Sequence, residues 1–330
     1  MKILGKTTLL AAVAALALSA CSVEGGGSDA GEGGKYPSRP VEFTVPTEPG
    51  GSTDLVTRAL AKNLEKPLGA QVPVVNKPGA NGKIAGKDVF SSEPDGYRVA
   101  AMPQSLFAVG PLVLNDPDAI KLEDMTFIKG LAVEDYVMVV PSDSPIKSVE
   151  DLKKAGTIKY GTTGAGTGSQ LSQALLLGLQ KAKATAVPFD GGGPLLTAVL
   201  GHKVDVGAMH VAEAHEQIRA GKVRPLAVFA EKRLDSVSDV PTAKELGYDV
   251  VVDQRRFVAG PAGMPDEVRN KLASAIEKAV ASPEYQKMLK DNYIGAWNAD
   301  GAKVGERLRT SREKFKSMTQ RLGINLSGQS

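Results

Sequence analysis

Strand-like and helix-like patterns alternate along most of this chain, and this alternation limits the folds that it can adopt. Residues 41–45 alternate apolar and polar positions with period two, and a helical apolar stripe follows at Leu55, Val56, Ala59, Leu60 and Leu64. Further strand-like segments lie at 71–75, 97–101, 136–140, 158–161, 185–188, 204–208 and 224–229. Further helix-like segments lie at 84–90, 169–180, 195–200, 212–220, 266–281, 283–291 and 302–322. The pattern predicts an α/β fold with largely parallel sheets.

The N-terminus has the features of a secretory signal. Lys2 and Lys6 precede an apolar run over 9–18, and small residues lead to Cys21, the only cysteine of the chain. A cysteine at this point resembles the lipobox of bacterial lipoproteins, which predicts a signal peptide over 1–20 and lipidation of Cys21. An ordinary secreted protein with an unrelated cysteine is the alternative. Residues 21–35 are rich in glycine and predict a flexible tether before a folded part that begins near Tyr36.

Composition excludes several classes of function. Basic and acidic residues nearly balance, at 40 and 37, so the chain lacks the basic excess of a nucleic-acid-binding protein. Aromatic residues make up 5% of the chain, which is few for a protein that stacks bases or sugars. We therefore expect no nucleic-acid partner.

Three glycine-rich loops, at 46–54, 161–169 and 189–194, each lead from a predicted strand into a predicted helix. Open α/β sheets bind ligands at such strand ends, and exposed N–H groups at a helix start favour an anion. The loops predict a pocket for a small carboxylate or phosphate, although glycines and hydroxyls can also serve only as turns and caps. The candidate residues of the first two loops are Gly50, Gly51, Ser52, Thr53, Asp54, Thr163, Gly164, Gly166, Thr167, Gly168 and Ser169.

Cofactor, metal and nucleophile motifs fit poorly. The second loop lacks the lysine of a Walker motif and the last glycine of a dinucleotide fingerprint. His210 and His215 are five residues apart, which does not place two metal ligands on one helix face, and Glu213 is expected on a solvated helix face. We expect no cofactor and no metal. A hydrolase triad of Ser169, His210 and Asp205 stays open from residue types alone.

The motifs and their order resemble one family, the extracytoplasmic solute receptors of tripartite tricarboxylate transporters. The resemblance covers about 40–324. It rests on Gly50-Gly51-Ser52-Thr53-Asp54, Asn76-Lys77-Pro78-Gly79, Pro94-Asp95-Gly96-Tyr97, Gly166-Thr167-Gly168-Ser169, Gly201-His202-Lys203-Val204-Asp205, Asp239-Val240-Pro241-Thr242 and Gly260-Pro261-Ala262-Gly263-Met264-Pro265. It implies a two-lobed type II periplasmic-binding-protein fold with a ligand cleft between the lobes. It also implies a non-enzymatic receptor that binds a small organic anion and delivers it to a two-subunit membrane permease. The anion is most often a di- or tricarboxylate, and sometimes an amino acid or an aromatic acid.

On this resemblance, lobe 1 comprises 36–140 and 250–330, and lobe 2 comprises 141–249, with hinges at 134–140 and 250–259. The protein is then extracytoplasmic and held at the membrane through Cys21. The alternatives are a carboxylate sensor without a transport role and a small hydrolase on the same scaffold.

Two positions depart from the family pattern. Gln170 stands where many members have histidine, and Arg256-Phe257 stands where many have tryptophan. Arg256 can pair a second carboxylate of the ligand or can be a solvated charge, and the solvated state is favoured for Arg255. The remaining candidate ligand-binding residues are Gln104, Ser105 and Asp205.

Overall fold

The computed structural model describes residues 36–113 and 116–326. The predictions for the signal peptide, for Cys21 and for the tether concern residues outside these ranges. The described residues belong to one compact unit.

Most of the strands lie close to predicted segments. Their bounds are β1 Glu42–Val45, β2 Val74–Asn76, β3 Arg98–Pro103, β4 Met125–Pro141, β5 Thr157–Thr162, β6 Lys183–Pro188, β7 Val206–His210, β8 Val223–Val228, β9 Asp253–Pro261 and β10 Gly295–Ala296. Strand β4 extends well beyond the predicted 136–140, and β9 and β10 were not predicted as strands.

The helices begin and end within a few residues of their predicted bounds. They are α1 Ser52–Leu68, α2 Lys83–Phe90, α3 Ser105–Ala108, α4 Gly110–Val113, α5 Gly168–Leu179, α6 Gly192–Leu200, α7 Val211–Arg219, α8 Asp266–Val280, α9 Pro283–Asp291 and α10 Gly301–Arg321. The short helices α3 and α4 were not predicted. No helix of 36–113 or 116–326 combines the length and the apolar character that crossing a membrane requires.

The strands form a mixed sheet in the order β2-β1-β3-β9-β4-β7-β5-β6, and β8 and β10 also pair with β4. The pairs of β1 with β2 and β3, and of β5 with β6 and β7, are parallel. Every described pair that includes β4 or β9 is antiparallel. The prediction of largely parallel sheets is therefore wrong for the middle of the sheet, because these two strands run against their neighbours.

Strand β4 changes partners about two thirds of the way along its length. It pairs with β9 as far as Asp135, and with β7 and β8 from Tyr136 and Val137 onward. We call β1, β2, β3, β9, β10 and β4 up to Asp135 the first section of the sheet. The second section is β5, β6, β7, β8 and β4 from Tyr136.

Helices cover both sections and bury separate apolar clusters. Over the first section, Leu60 and Leu64 of α1 pack in one cluster with Ile276 of α8. Over the second section, Leu171 and Leu175 of α5 pack with strand residues. Each such buried side chain contributes about 1.5–3 kcal/mol relative to an exposed one.

The last turns of α10 pack on the second section. Val304 and Leu308 of α10 belong to a cluster with β3 and β9, whereas Phe315 and Met318 belong to the cluster of α5. The predicted boundaries assign all of 250–330 to lobe 1, but the last turns of α10 contact the other section because the helix is long enough to reach across.

Candidate functional site

A cavity of about 380 Å³ lies where β1, β5, β6 and β7 end. Both sections of the sheet contribute to its walls. Its lining residues are Pro46, Thr47, Glu48, Gly51, Ser52, Thr53, Pro103, Tyr136, Thr163, Thr167, Asp190, Gly191, Gly192, His210, Glu213, Gln254 and Arg256.

Four helices begin at this cavity. The N-cap or first residues of α1, α5, α6 and α7 all belong to its lining. Thr167 caps α5 by accepting the N–H of Gln170, and Glu213 caps α7 by accepting the N–H of His210 at 2.9 Å. Helices α1 and α6 start after Gly51 and Gly191 and have no side-chain cap. Their first-turn N–H groups and helix dipoles favour an anion.

The first predicted loop contributes Gly51, Ser52 and Thr53 to the cavity. Gly50 and Asp54, also predicted, are not in the lining. Asp54 is buried and accepts the N–H of Gly50 at 2.9 Å. Burial alone would raise the pKa of Asp54, but hydrogen bonds from Arg58, from that N–H and from Asn76 lower it below its ordinary value. Asp54 therefore fixes the shape of the loop.

The second predicted loop contributes Thr163 and Thr167, while the rest of it is bonded within the protein. The N–H of Thr163 donates to Ser169 Oγ at 3.0 Å, and Ser169 Oγ donates to the carbonyl of Ala208 at 2.5 Å. The N–H of Gly166 donates to Gln170 Oε1 at 2.9 Å. Gly164, Gly166, Gly168 and Ser169 consequently lie outside the lining.

Gly168 has a packing role in this loop. A Cβ atom at this position would come within 2.6 Å of the ring of Tyr136. The absence of a side chain lets α5 start directly against that ring, which itself lines the cavity.

The third predicted loop contributes Asp190, Gly191 and Gly192. Gly191 has a φ of +99°, a conformation that favours glycine. The carboxylate of Glu213 lies directly against Gly192, because a Cβ there would approach it within 2.3 Å. An acidic side chain thus sits at the start of α6.

A buried charged cluster adjoins the cavity. Arg256 Nη2 lies 2.7 Å from Glu134 Oε2, Ser52 Oγ donates to Glu134 Oε1 at 2.5 Å, and His210 Nδ1 lies 3.3 Å from that same oxygen. Burial alone would raise the pKa of Glu134. The charges of Arg256 and His210 and the hydroxyl of Ser52 outweigh burial and hold this pKa below its ordinary value.

Several polar atoms of this cluster have no hydrogen-bond partner among the described residues. They include His210 Nε2, Arg256 Nε and Thr53 Oγ1, and all three residues are at least nine-tenths buried. The ring of His210 also packs on that of Tyr136, with centroids 4.5 Å apart. Buried polar groups without partners mark a site that a polar ligand can complete.

The sequence did not predict His210, Glu213 or Glu134 as ligand-site residues, and His210 was considered only as a member of the triad. It expected Glu213 on a solvated helix face, which is wrong because Glu213 caps α7 and lines the cavity. The spacing of His210 and Glu213 is that of a capping box directly after a strand, and this signal predicts a helix start at the ligand-binding edge.

Three other predicted residues are not brought to the cavity. Gln104 Nε2 donates to the carbonyl and carboxylate of Asp253, and Ser105 bonds Gln254. Asp205 is exposed, and its carboxylate accepts the N–H of Lys159 at 2.7 Å. The hypothesis of a Ser169, His210 and Asp205 triad therefore fails. Ser169 bonds the carbonyl of Ala208, His210 contacts Glu134, and Asp205 bonds the N–H of Lys159.

The two adjacent arginines differ. Arg255 bonds Asp253 and packs over the ring of Trp297, with 4.8 Å between the guanidinium carbon and the ring centroid. It is partly buried by these contacts, so the favoured prediction of a solvated charge is wrong. Arg256 lines the cavity but is already paired with Glu134.

Opposite faces of β4 meet different surroundings. Tyr136 lines the cavity, whereas its neighbour Asp135 lines a separate groove with Arg233, Lys290 and Tyr293. We call this the rear groove. Alternation of side chains along a strand places the two residues on opposite faces.

Comparison with known proteins gives the family. The profile described as tripartite tricarboxylate transporter family receptor matches residues 56–324. A Cupriavidus necator protein named "UPF0065 protein in gbd 5'region" is 30% identical over 329 residues, which cover 97% of each chain.

Solved structures have the same fold. The periplasmic binding protein BugD is 27% identical with a TM-score of 0.77, over 88% of this chain and 99% of its own. MatC from Rhodopseudomonas palustris, solved with bound malate, is 26% identical with a TM-score of 0.76, over 86% of this chain and 99% of its own. These matches confirm the predicted α/β fold of the periplasmic-binding class. The chain belongs to the family of tripartite tricarboxylate transporter receptors.

Proposed function

We propose that the protein is an extracytoplasmic solute receptor that binds a small organic carboxylate in the cavity and delivers it to a two-subunit membrane permease. The observation that carries this proposal is the start of four helices at one cavity, two of them without a capping side chain. A carboxylate placed at the start of α1 can accept its first-turn N–H groups and gains the attraction of the helix dipole.

A structural relative supports a carboxylate as the ligand. MatC has the same fold over 86% of this chain, and its structure was solved with bound malate. The hydroxyls of Ser52, Thr163 and Thr167 also line the cavity and offer further donors to a carboxylate.

We further propose that the two sections act as lobes that close on the ligand by a hinge motion near Asp135 and near 250–252. The cavity draws its walls from both sections, so closure would bury the ligand on both sides. Family membership supports the permease partner, and the sequence at Cys21 supports a lipid anchor on the outer side of a membrane.

Calorimetry with a panel of small carboxylates, malate included, tests the carboxylate site. Gly51→Asp places a carboxylate at the N-cap of α1, where it competes with the ligand while still capping the helix. We expect wild type and Gly51→Ala to bind and Gly51→Asp to lose at least about tenfold in affinity.

Ser282→Asp is the matched control, because it places the same charge at the N-cap of α9, which does not line the cavity. It is expected to bind as wild type does. The proposal fails when no member of the panel binds, or when Gly51→Asp binds as tightly as Gly51→Ala.

A further inference from the structure

Gln170 links the second glycine-rich loop to residues that follow α10. Its side chain is buried at the start of α5, with 6% of the residue exposed. Its Oε1 accepts the N–H of Gly166 at 2.9 Å, and its Nε2 donates to the carbonyl of Leu326 at 3.0 Å. A glutamine amide can accept and donate at the same time, so this one side chain holds two segments although Gln170 and Leu326 are 156 residues apart.

The bond to Gly166 supports the part of the loop that reaches the cavity. Gly166 has a φ of +73° and directly precedes Thr167, which lines the cavity together with Thr163. Thr167 Oγ1 donates to the carbonyl of Gly164 at 2.7 Å and accepts the N–H of Gln170 at 3.4 Å. Because Gly166 and Thr167 are adjacent, a shift of the Gly166 N–H would displace the Thr167 hydroxyl.

The other end of the link belongs to a part of the chain that contacts both sections of the sheet. Helix α10 begins in a cluster with β3 and β9, and its last turns pack in the cluster of α5. We call 322–326 the tail segment. Leu326 is buried in the cluster of α5, and Ile324 packs so closely on this helix that a Cβ atom at Gly178 would lie 2.8 Å from it. Close packing of the tail segment therefore fixes the carbonyl that Gln170 binds.

We propose that Gln170 is a positioning residue that couples the packing of the tail segment to the ligand affinity of the cavity. When the tail segment is packed, the Leu326 carbonyl binds Nε2 and orients the amide so that Oε1 meets the Gly166 N–H. The loop then holds Thr163 and Thr167 in place for the ligand. The coupling is reciprocal, so a ligand that orders the loop also stabilises the packed tail segment. The effect on affinity rests on the proposed function, whereas the link within the protein does not.

Hydrogen exchange without ligand tests the link itself. Gln170→Met replaces the amide by an apolar side chain of similar length, and Leu326→Ala removes the buried side chain that holds the tail segment. Each is expected to speed exchange in peptides that cover 161–169 by about fivefold or more. Leu326→Ala carries this test if Gln170→Met does not fold.

Gln180→Met is the matched control. Gln180 directly follows α5, and its Nε2 also donates to a backbone carbonyl, that of Val149 at 2.7 Å. Its loss is expected to lower the melting temperature, because a buried hydrogen bond is removed, but to leave exchange in 161–169 as in wild type. A general loss of stability would affect this control as well.

A double-mutant cycle tests the coupling to the ligand. Calorimetry with malate and the other acids of the carboxylate panel is carried out at a temperature at which circular dichroism shows every variant folded. Gln170→Met and Leu326→Ala are each expected to weaken binding by about fivefold or more. The double variant should bind no more weakly than Gln170→Met alone, because Leu326 acts through Gln170, and Gln180→Met should bind as wild type does.

The outcomes separate this inference from the proposed function. Loop exchange that stays as in wild type in the folded variants overturns the inference and leaves the carboxylate receptor standing. Affinity losses that add in the double variant, or an equal loss in Gln180→Met, overturn the coupling in the same way. Absence of binding by every acid of the panel overturns the proposed function and the effect on affinity together, and loop exchange then decides whether Gln170 positions the loop.

Discussion

Arg256 and Glu134 form a buried ion pair beside the cavity, with 2.7 Å between Nη2 and Oε2. The two residues lie on neighbouring strands, β9 and β4, and Glu134 also accepts a hydrogen bond from Ser52 at the start of α1. The pair thus ties the start of α1 to the middle of the sheet, at the edge of the candidate ligand site.

Loss of one partner of this pair is expected to destabilise the protein. Glu134→Gln leaves the Arg256 guanidinium buried without a counter-ion and is expected to reduce the free energy of unfolding by about 3–5 kcal/mol. Urea unfolding at neutral pH measures the change. Glu216→Gln, which removes an exposed carboxylate, is the control and should change it by less than about 0.5 kcal/mol. A Glu134→Gln variant as stable as the control would show that the ion pair does not contribute to the free energy of unfolding.

Asp135 is expected to make stability fall as pH rises. Burial and the nearby charge of Asp253 raise the pKa of Asp135 from 3.8 to about 6. Between these values the folded state binds the proton more tightly than the unfolded chain does, so stability is lost as pH rises through this window. The ionised carboxylate then costs up to about 3 kcal/mol at pH 8.

Asp135→Asn removes this cost. The variant is expected to be more stable than wild type at pH 8 and to lose most of that advantage near pH 4, where the wild-type carboxyl is protonated in the folded state and partly protonated in the unfolded chain. Urea unfolding of both proteins at pH 4, 6 and 8 gives the difference directly. A difference that stays constant over this range would mean that Asp135 does not titrate with a raised pKa.

Membrane attachment is expected to depend on Cys21. Cys21→Ser removes the thiol that a lipid would modify and should move the protein from the membrane fraction to the soluble fraction while its melting temperature stays the same. Fractionation and immunoblotting of wild type, Cys21→Ser and a Ser22→Ala control measure this. A Cys21→Ser protein that still sediments with membranes would contradict the lipid anchor.

Helix bounds could be predicted well where capping residues and prolines mark the ends of a helix. Residues 283–291 were predicted without error, because Pro283 fits a first turn and Ser282 caps it. The first eleven residues of β4 were not predicted. Both faces of this strand are largely covered, so Met125 to Asp135 lack the apolar-polar alternation that marks a half-buried strand.

The candidate site could likewise be predicted only in part. Its glycine loops could be predicted because each loop is local in sequence and follows a strand. The charged cluster could not, because Ser52, Glu134, His210 and Arg256 come from four elements, and Ser52 and Glu134 are 82 residues apart. No local pattern pairs such residues, and only the antiparallel course of β4 and β9 brings Glu134 beside Arg256.

The change of partners within β4 has a mechanical consequence. Asp135 is the last residue paired with β9 and Tyr136 the first paired with β7. The backbone between these two residues therefore joins the two sections of the sheet. The proposed hinge motion at this step would change the cavity and the rear groove together, since Tyr136 and Asp135 line them from opposite faces of the strand.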